Sequence, residues 1–159
     1  MHLVFYNDDF FNDVKAYRLD DASFTGVPIE IIEEYKNQED FYPILCFEED
    51  RLVCFFALDG SANKLVYTDN QNSFLIRAFS TDSNEVRKGY ATKSLLALES
   101  FVKMNFEGVD EIVLGVNVKN PNAYKMYLKA GFDDTTRTNL GPRGYQNVLN
   151  KFVRKEAEC

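Results

Sequence analysis

A chain of 159 residues has the length of one compact domain and can bury roughly two thirds of the surface that its unfolded form exposes. Its 25 acidic and 18 basic side chains leave a formal net charge of −7, which argues against a nucleic-acid partner held by the surface as a whole. The single histidine, His2, and three cysteines without paired spacing argue against a zinc site and a histidine-based catalytic triad, so no metal is predicted.

The apolar segments are too short to cross a bilayer. The longest, LVCFFAL at residues 52–58, falls far below the roughly 20 residues that a membrane-spanning helix needs. The first residues, MHLVFYNDDFF, lack the cationic leader and apolar stretch of a secretion signal. An odd number of cysteines (Cys46, Cys54 and Cys159) suits a reducing compartment. We therefore expect a cytoplasmic protein without a membrane partner.

Apolar periodicity and turn residues divide the chain into alternating predicted elements. In chain order they are a strand at 2–6, helices at 9–19 and 28–36, strands at 42–47, 52–58 and 74–81, a helix at 86–106, a strand at 111–117, a helix at 121–130, and strands at 131–137 and 146–153. The polar segments 59–73 and 136–146 are predicted to be loops.

The helix after Asn120 has the strongest local support. Asn120 suits the N-cap, Pro121 suits the first turn, and Gly131 follows the last periodic residue. The unbroken apolar run at 52–58 predicts a strand buried on both faces. The order of the elements implies one α/β domain over residues 1–159, with a mixed sheet and helices on both sides.

Positive charge is concentrated in the second half of the chain. Residues 1–85 hold 6 basic and 17 acidic side chains, whereas residues 86–131 hold 7 basic and 4 acidic ones. In the stretch EVRKGYATKS, Arg87 and Lys88 precede Gly89 just ahead of a helical pattern. Backbone N–H groups at a helix start have no helical partner and attract anions, so this turn is a candidate phosphate site.

Two segments, FSTDSNEVRKGYATKSL and NVKNPNAYKMYLKAGF, resemble the two cofactor-binding motifs of the GNAT family of N-acetyltransferases. The first family motif runs (Gln or Arg)-x-x-Gly-x-(Gly or Ala), and Gly89 and Ala91 match it. Val86 stands where the family has Gln or Arg. The second motif is Asn-x-x-Ala, three residues, then Tyr-x-x-x-Gly-Phe, and the residues that match it are Asn120, Ala123, Tyr127, Gly131 and Phe132.

The resemblance implies a mixed, largely antiparallel sheet of about six to seven strands with about four helices. It further implies that the strands at 74–81 and 111–117 splay into a V that admits acetyl-CoA, and that the Tyr127 hydroxyl lies near the sulfur as a general acid. The resemblance also implies that the backbone of Phe79 and Thr81 pairs with the pantetheine amides, as a neighbouring strand would. The N–H groups of residues 87–92 are expected to hold the pyrophosphate. The cofactor-binding residues so implied are Phe79, Ser80, Thr81, Arg87, Lys88, Gly89, Tyr90, Ala91, Thr92, Asn120, Ala123, Tyr124 and Tyr127.

The activity implied is direct transfer of an acetyl group to a primary amine of a small molecule or peptide. The acidic first half favours a cationic, polyamine-like acceptor, with access between segments 19–28 and 135–146. None of four nearby carboxylates (Asp20, Asp21, Asp82 and Glu85) can be assigned as the base. A catalytically silent acyl-CoA-binding module and another type of nucleotide-binding domain are the alternatives, and a homodimer stays open.

Overall fold

The computed structural model describes residues 1–153, which form a seven-stranded sheet flanked by four α-helices. The strands are β1 (His2–Phe5), β2 (Phe41–Glu48), β3 (Arg51–Asp59), β4 (Ser73–Thr81), β5 (Glu111–Asn117), β6 (Asp133–Gly141) and β7 (Gly144–Phe152), and the helices are α1 (Phe11–Ala16), α2 (Pro28–Tyr35), α3 (Tyr90–Asn105) and α4 (Pro121–Lys129). No helix within this part of the chain is long and apolar enough to span a membrane. Cys159 lies outside the described residues, and Cys46 and Cys54 are buried free thiols.

The sheet is antiparallel except at its centre. Its strand order is β1-β2-β3-β4-β5-β7-β6, and only β4 and β5 run parallel to each other. Their ladder is short, because it joins only Ser73–Leu75 to Glu111–Val113. Beyond Leu75 the two strands separate, which opens the sheet into a V. The predicted fold class is therefore confirmed.

Helices cover both faces of the sheet, as the unbroken apolar run in β3 predicts. On one face, Phe56 and Leu58 of β3 belong to a core that also contains Leu95 of α3 and Tyr127 of α4. On the other face, Phe55 belongs to a second core with residues of α1 and α2. Because successive side chains of a strand point to opposite faces, a strand covered on both sides must be apolar throughout.

The boundaries of α4 agree with the local signals. The Asn120 side chain accepts a hydrogen bond from the Ala123 N–H (3.3 Å), Pro121 opens the helix, and Gly131 follows it with a φ of +97°. Such a φ favours glycine because a Cβ would crowd the backbone there. The N-cap, first-turn and C-terminal predictions for this helix are confirmed.

Two other helices are shorter than predicted. The long helix starts at Tyr90 rather than Val86, because Arg87 (φ +64°) and Gly89 (φ +80°) have left-handed backbone conformations that a right-handed helix cannot contain. The first helix ends at Ala16 rather than residue 19, because Tyr17 is extended and turns the chain away.

The predicted loop at 136–146 is wrong. Residues 133–141 and 144–152 form a β-hairpin whose turn is only Pro142 and Arg143, and Gly144 follows with a φ of +121°. As the edge strand of the sheet, β6 is largely exposed on both faces, so it carries no apolar alternation that would reveal it.

Candidate active site

A cleft of about 780 Å³ opens where β4 and β5 separate. One wall is β4, and the other is formed by β5 and α4. The far end of the cleft lies under α2 and the segment before it, next to the tip of the β6–β7 hairpin. The residues of the predicted site that line this cleft are Phe79, Ser80, Thr81, Ala91, Asn120, Ala123 and Tyr127.

Backbone groups of β4 face the gap at its open end. The Asp82 N–H donates to the Val53 carbonyl of β3 at 2.8 Å. Because successive residues of a strand direct their backbone groups to opposite edges, the N–H and C=O groups of Thr81 and Phe79 point away from β3 and toward the gap. A register shift and a φ of +57° at Ala78 mark a bulge that bends the strand just before these residues.

Ser80 points its side chain away from this backbone edge. Its hydroxyl lies 2.8 Å from the Tyr17 hydroxyl in a buried contact. Burial raises the pKa of the Tyr17 phenol well above its ordinary value. The hydrogen bond between Ser80 and Tyr17 therefore connects the segment after α1 to β4. No sequence pattern predicts this contact.

The start of α3 presents unused backbone donors. The first helical hydrogen bond is from the Lys93 N–H to the Gly89 carbonyl at 3.1 Å, so the preceding N–H groups of the turn have no helical acceptor. A Cβ built on Gly89 would meet nothing within 4 Å. The structure gives two reasons for a glycine at this position: the backbone is open to a ligand, and its φ of +80° disfavours a residue with a Cβ.

These donors face a groove of about 360 Å³ that continues from the cleft. Four residues line both cavities, so the two spaces form one passage: Thr81, Val86, Ala91 and Met126. The predicted site residues that line the groove are Thr81, Arg87, Gly89, Tyr90, Ala91 and Thr92.

The two cations of the turn have different surroundings. Lys88 donates to Glu85 at 2.9 Å, and Arg51 binds the same carboxylate at 2.9 Å and the Tyr90 hydroxyl at 3.1 Å. Arg87 lines the groove and has no carboxylate partner among residues 1–153. Arg87 is thus the cation of the predicted pair that remains available to a bound anion.

Glu85 is poorly suited to the role of general base. Its hydrogen bond with Lys88, supported by the charges of Arg51 and Lys88, lowers the pKa of the Glu85 carboxyl below its ordinary value. A carboxylate stabilised in its charged form accepts a proton reluctantly. Asp82 is also occupied, because it accepts hydrogen bonds from the N–H groups of Arg18 (2.9 Å) and Asn84 (2.8 Å).

Tyr127 is held inside the cleft by aromatic contacts. It is 7% exposed, and its ring makes edge contacts with Phe79 (6.0 Å between centroids) and Phe132 (5.8 Å). Burial raises the pKa of the Tyr127 phenol well above its ordinary value. A phenol that keeps its proton at neutral pH can act as a proton donor.

Tyr124, one of the predicted site residues, lies outside both cavities. Its hydroxyl donates to Asp134 of β6 at 2.8 Å, and this hydrogen bond raises the pKa of the Tyr124 phenol. Two other residues of α4, Asn122 and Met126, face the groove instead. Neither residue occupies a motif position, so the sequence does not predict their place in the groove. Their place there follows from the packing of α4 against the start of α3.

The far end of the cleft contains an ion pair that the sequence patterns did not reveal. Arg77 of β4 donates to Asp59 at 3.1 Å and to the Tyr35 hydroxyl at 2.8 Å, and its guanidinium lies over the Tyr35 ring. Asp59 is fully buried. Although burial alone would raise its pKa, hydrogen bonds from Ser61 and Asn63, together with Arg77, hold the pKa of Asp59 below its ordinary value. This pair joins the end of α2 to the sheet.

A polar wall faces this ion pair across the cleft. Tyr67 donates to the Gln146 side chain at 2.9 Å, and Asn139 donates to the same oxygen at 3.2 Å. A Cβ on Gly115 would lie 2.6–2.7 Å from Gln146 and Tyr67. Glycine at this position of β5 therefore makes room for the wall.

Three carboxylates line the far end of the cleft: Asp21, Glu30 and Glu34. Hydrogen bonds from Ser23 lower the pKa of Asp21, which keeps it charged. Arg143, at the hairpin tip, donates to the Ala22 carbonyl at 3.0 Å and so bridges the two segments between which acceptor access is predicted.

A sequence model of the Acetyltransferase (GNAT) family matches residues 7–132, a span that contains the V, the α3 turn and Tyr127. The chain belongs to the acetyltransferase (GNAT) family. The uncharacterized N-acetyltransferase YbbJ of Bacillus subtilis (strain 168) is 35% identical over 154 residues, which cover 95% of this chain and 96% of YbbJ. The predicted family and enzyme class, an acyltransferase, are thereby confirmed.

Solved structures of acetyltransferases share the fold. The aminoglycoside acetyltransferase AAC(6')-Ib in complex with coenzyme A and kanamycin has a TM-score of 0.72 and 17% identity, covering 94% of this chain and 93% of that one. The spermidine N-acetyltransferase of Vibrio cholerae in complex with coenzyme A and spermine has a TM-score of 0.64 and 12% identity, covering 96% and 95%. At these identities the likeness concerns the fold.

The chemical groups that line the groove at α3 suit the diphosphate of coenzyme A. Unpaired N–H groups and the uncommitted Arg87 provide donors for an anion, and the space in front of Gly89 is open. The passage toward Tyr127 is bordered by the free backbone edge of β4, which can pair with the amides of a pantetheine arm as a neighbouring strand would.

Proposed function

We propose that this protein is an acetyl-CoA-dependent N-acetyltransferase that transfers the acetyl group directly to a primary amine of a small molecule or peptide. The observation that carries the proposal is the passage that leads from the unpaired N–H groups at the start of α3, along the open edge of β4, to the buried phenol of Tyr127. Membership of the acetyltransferase (GNAT) family supports acetyl-CoA as the donor.

The protein groups have separate tasks along this passage. The N–H groups at the start of α3 and Arg87 hold the diphosphate, and the backbone of Phe79 and Thr81 holds the pantetheine arm. Acetyl-CoA supplies an activated acetyl thioester. With acetyl-CoA bound, a free N–H at the end of β4 would polarise the thioester carbonyl while the amine nitrogen bonds to the acetyl carbon. As the C–S bond breaks, the Tyr127 hydroxyl would give its proton to the sulfur, and the phenol would regain a proton from solvent.

The amine must lose its own proton, and neither carboxylate between β4 and the start of α3 is available as its base. Glu85 and Asp82 are both committed to other contacts. At pH 7, about 10% of an amine with a pKa near 8 is neutral, against roughly 0.04% of a lysine-like amine. The site therefore favours an acceptor amine of lowered pKa, or one that releases its proton through water.

A cationic acceptor fits the charges at the far end of the cleft. Glu30 and Glu34 lie one helical turn apart on α2, line the cleft and have no ion-pair partner among residues 1–153. With Asp21 they form an acidic rim that attracts a second positive group of the acceptor. Proteins with this fold include acetyltransferases named for aminoglycosides and for spermidine, whose acceptors carry several amines.

An amine panel tests the proposal. Free thiol released from acetyl-CoA is measured with monoamines, polyamines, aminoglycosides, amino acids and peptides, and coenzyme A binding is measured by calorimetry in parallel. We expect binding together with acceptor-dependent thiol release, strongest for polycationic acceptors. Binding without release from any acceptor would instead identify a silent acyl-CoA-binding module, and preference for ATP or NAD over coenzyme A would identify a different nucleotide-binding domain.

The acidic rim is tested by neutral replacement. Glu30→Gln and Glu34→Gln should each raise the KM of the preferred polyamine several-fold and leave the KM of acetyl-CoA unchanged, because both lie away from the α3 groove. Glu33→Gln is the matched control, since Glu33 is exposed on the same helix and pairs with Lys36 outside the cleft. If all three variants change the KM of the polyamine equally, the acidic rim does not bind the acceptor.

A further inference from the structure

The groove at the start of α3 has a second wall, formed by α4. The first wall carries the unpaired N–H groups of α3, together with Val86 and Arg87. The second wall carries Asn122 and Met126. These two residues are four positions apart, so they lie on the same face of α4, one turn from each other. A ligand in the groove is therefore bordered by both helices.

The two residues of the second wall differ in chemistry along the passage. Met126 also lines the main cleft, whereas Asn122 lines only the outer groove. The apolar thioether therefore borders the inner part, where a pantetheine arm passes, and the amide borders the outer part near the α3 donors. Asn122 is the one polar side chain of α4 that lines this groove within the described residues.

The amide of Asn122 is not used by the fold. Asn122 is exposed, and its side chain makes no hydrogen bond to another residue within 1–153. The neighbouring Asn120 caps α4 through its own side chain, which accepts from the Ala123 N–H. Asn122 is therefore free to donate its N–H groups to a ligand without a cost to the helix.

The first wall is short of side-chain donors. Val86 is apolar and 44% exposed in the groove, and Lys88 is held by Glu85. Arg87 is left as the only uncommitted cation among the described residues of this turn. A diphosphate carries several acceptor oxygens, and a groove bordered by both helices can offer them donors from α4 as well as from α3. A donor from the second wall can satisfy them.

We infer that Asn122 binds the diphosphate of coenzyme A by donating a hydrogen bond from the wall opposite α3, where Val86 offers no donor. The inference rests on the proposed function, because it takes coenzyme A as the ligand. It assigns to Asn122 a cofactor-binding role that none of the sequence motifs indicates, and it assigns to Met126 the adjacent contact with the arm.

The test is equilibrium binding of coenzyme A by calorimetry, without turnover. Asn122→Ala should raise the Kd about tenfold, which corresponds to about 1.4 kcal/mol and lies near the lower value for a hydrogen bond to a charged group. Asn37→Ala is the matched control, because Asn37 is exposed in the turn after α2 and lines neither cavity. Thermal melting of both variants confirms that they fold like the wild type.

Two further measurements identify the group that Asn122 contacts. Dephospho-coenzyme A keeps the diphosphate and lacks the 3′-phosphate, so the tenfold loss should persist with this ligand. Val86→Gln should restore part of the affinity in the Asn122→Ala background, because it returns a donor to the same oxygens from the first wall. A loss that disappears with dephospho-coenzyme A would overturn the inference in favour of a 3′-phosphate contact.

The controls separate failure of this inference from failure of the proposed function. If the wild type binds coenzyme A, Arg87→Ala weakens binding and Asn122→Ala stays within twofold of the wild type, only the role of Asn122 is overturned. If the wild type does not bind coenzyme A, the proposed function fails and the inference fails with it.

Discussion

Replacement of Tyr127 by phenylalanine isolates one hydroxyl group. The ring is 7% exposed and keeps its edge contacts with Phe79 and Phe132 in the variant. The hydroxyl has no hydrogen-bond partner among residues 1–153, so its removal leaves no buried donor or acceptor unsatisfied. Stability should therefore change by less than about 1 kcal/mol. A large loss of activity would therefore not arise from unfolding, and the coenzyme A binding measurement separates a loss of binding from a loss of transfer.

The expected loss of turnover follows from the leaving group. General acid catalysis contributes about 10² to 10⁴-fold. A thiol has a pKa near 8.5, so a thiolate leaves comparatively well without a proton, and the lower end of that range applies. We expect kcat of Tyr127→Phe to fall about 10²-fold, which is about 2.7 kcal/mol of transition-state stabilisation. The Kd of coenzyme A should stay within about twofold.

The assay combines thiol release at saturating acetyl-CoA and acceptor with calorimetric binding of coenzyme A. Tyr145→Phe is the matched control, because Tyr145 is 60% exposed on β7 and lines neither cavity. This control should retain wild-type kcat. Unchanged turnover in Tyr127→Phe would return Tyr127 to a purely structural role in the core, and a parallel loss of coenzyme A binding would show that the hydroxyl acts before the chemical step.

Three further predictions concern stability. Gly89→Ala should lower the free energy of unfolding by about 1 kcal/mol in urea denaturation and weaken coenzyme A binding, because the φ of +80° disfavours a Cβ even though space is open there; an unaffected variant would contradict this. Gly115→Ala should cost about 1–3 kcal/mol by the same measurement, since its Cβ would meet Gln146 and Tyr67 at 2.6–2.7 Å, and a neutral effect would mean that this wall yields. The lowered pKa of Asp59 stabilises the fold above the ordinary carboxyl pKa near 4, and this contribution disappears as the pH falls through the lower folded-state value. Wild type should thus lose more stability than Asp59→Asn between pH 6 and pH 3, and parallel losses would refute the assignment.

Local signals in the sequence were sufficient where one short segment determines the structure. Asn120, Pro121 and Gly131 bound α4 as predicted, because capping, the first-turn proline and the glycine after the helix each act within a few residues. The buried strand β3 was equally visible, since cover on both faces requires an unbroken apolar run.

The β6–β7 hairpin was not visible for the opposite reason. The hairpin forms through backbone pairing between its two strands, and its side chains do not alternate between a buried and an exposed face. Two paired residues, Leu140 and Tyr145, are 65% and 60% exposed. The polar residues around Pro142 therefore predict a loop where the structure has a hairpin. Backbone pairing along an edge leaves little trace in side-chain hydropathy.

The site was predictable in its backbone and not in its side-chain partners. Gly89 marks the predicted anion-binding turn in the sequence, and in the structure it directly precedes α3, whose first N–H groups have no helical acceptor. By contrast, the binding of Arg51 to Glu85, the contact of Arg77 with Tyr35 and the position of Asn122 beside the start of α3 depend on elements far apart in the chain. The roles of the individual site residues remain predictions.

The bridge between Arg143 and Ala22 has an evolutionary consequence. It joins two exposed segments 121 positions apart, and neither of them lines the groove at the start of α3 in which we propose that coenzyme A binds. Exchange of these surface segments between homologues would alter the choice of amine while the shared chemistry stays intact. Divergence in substrate range within such a scaffold should therefore accumulate at the hairpin tip and the segment before α2.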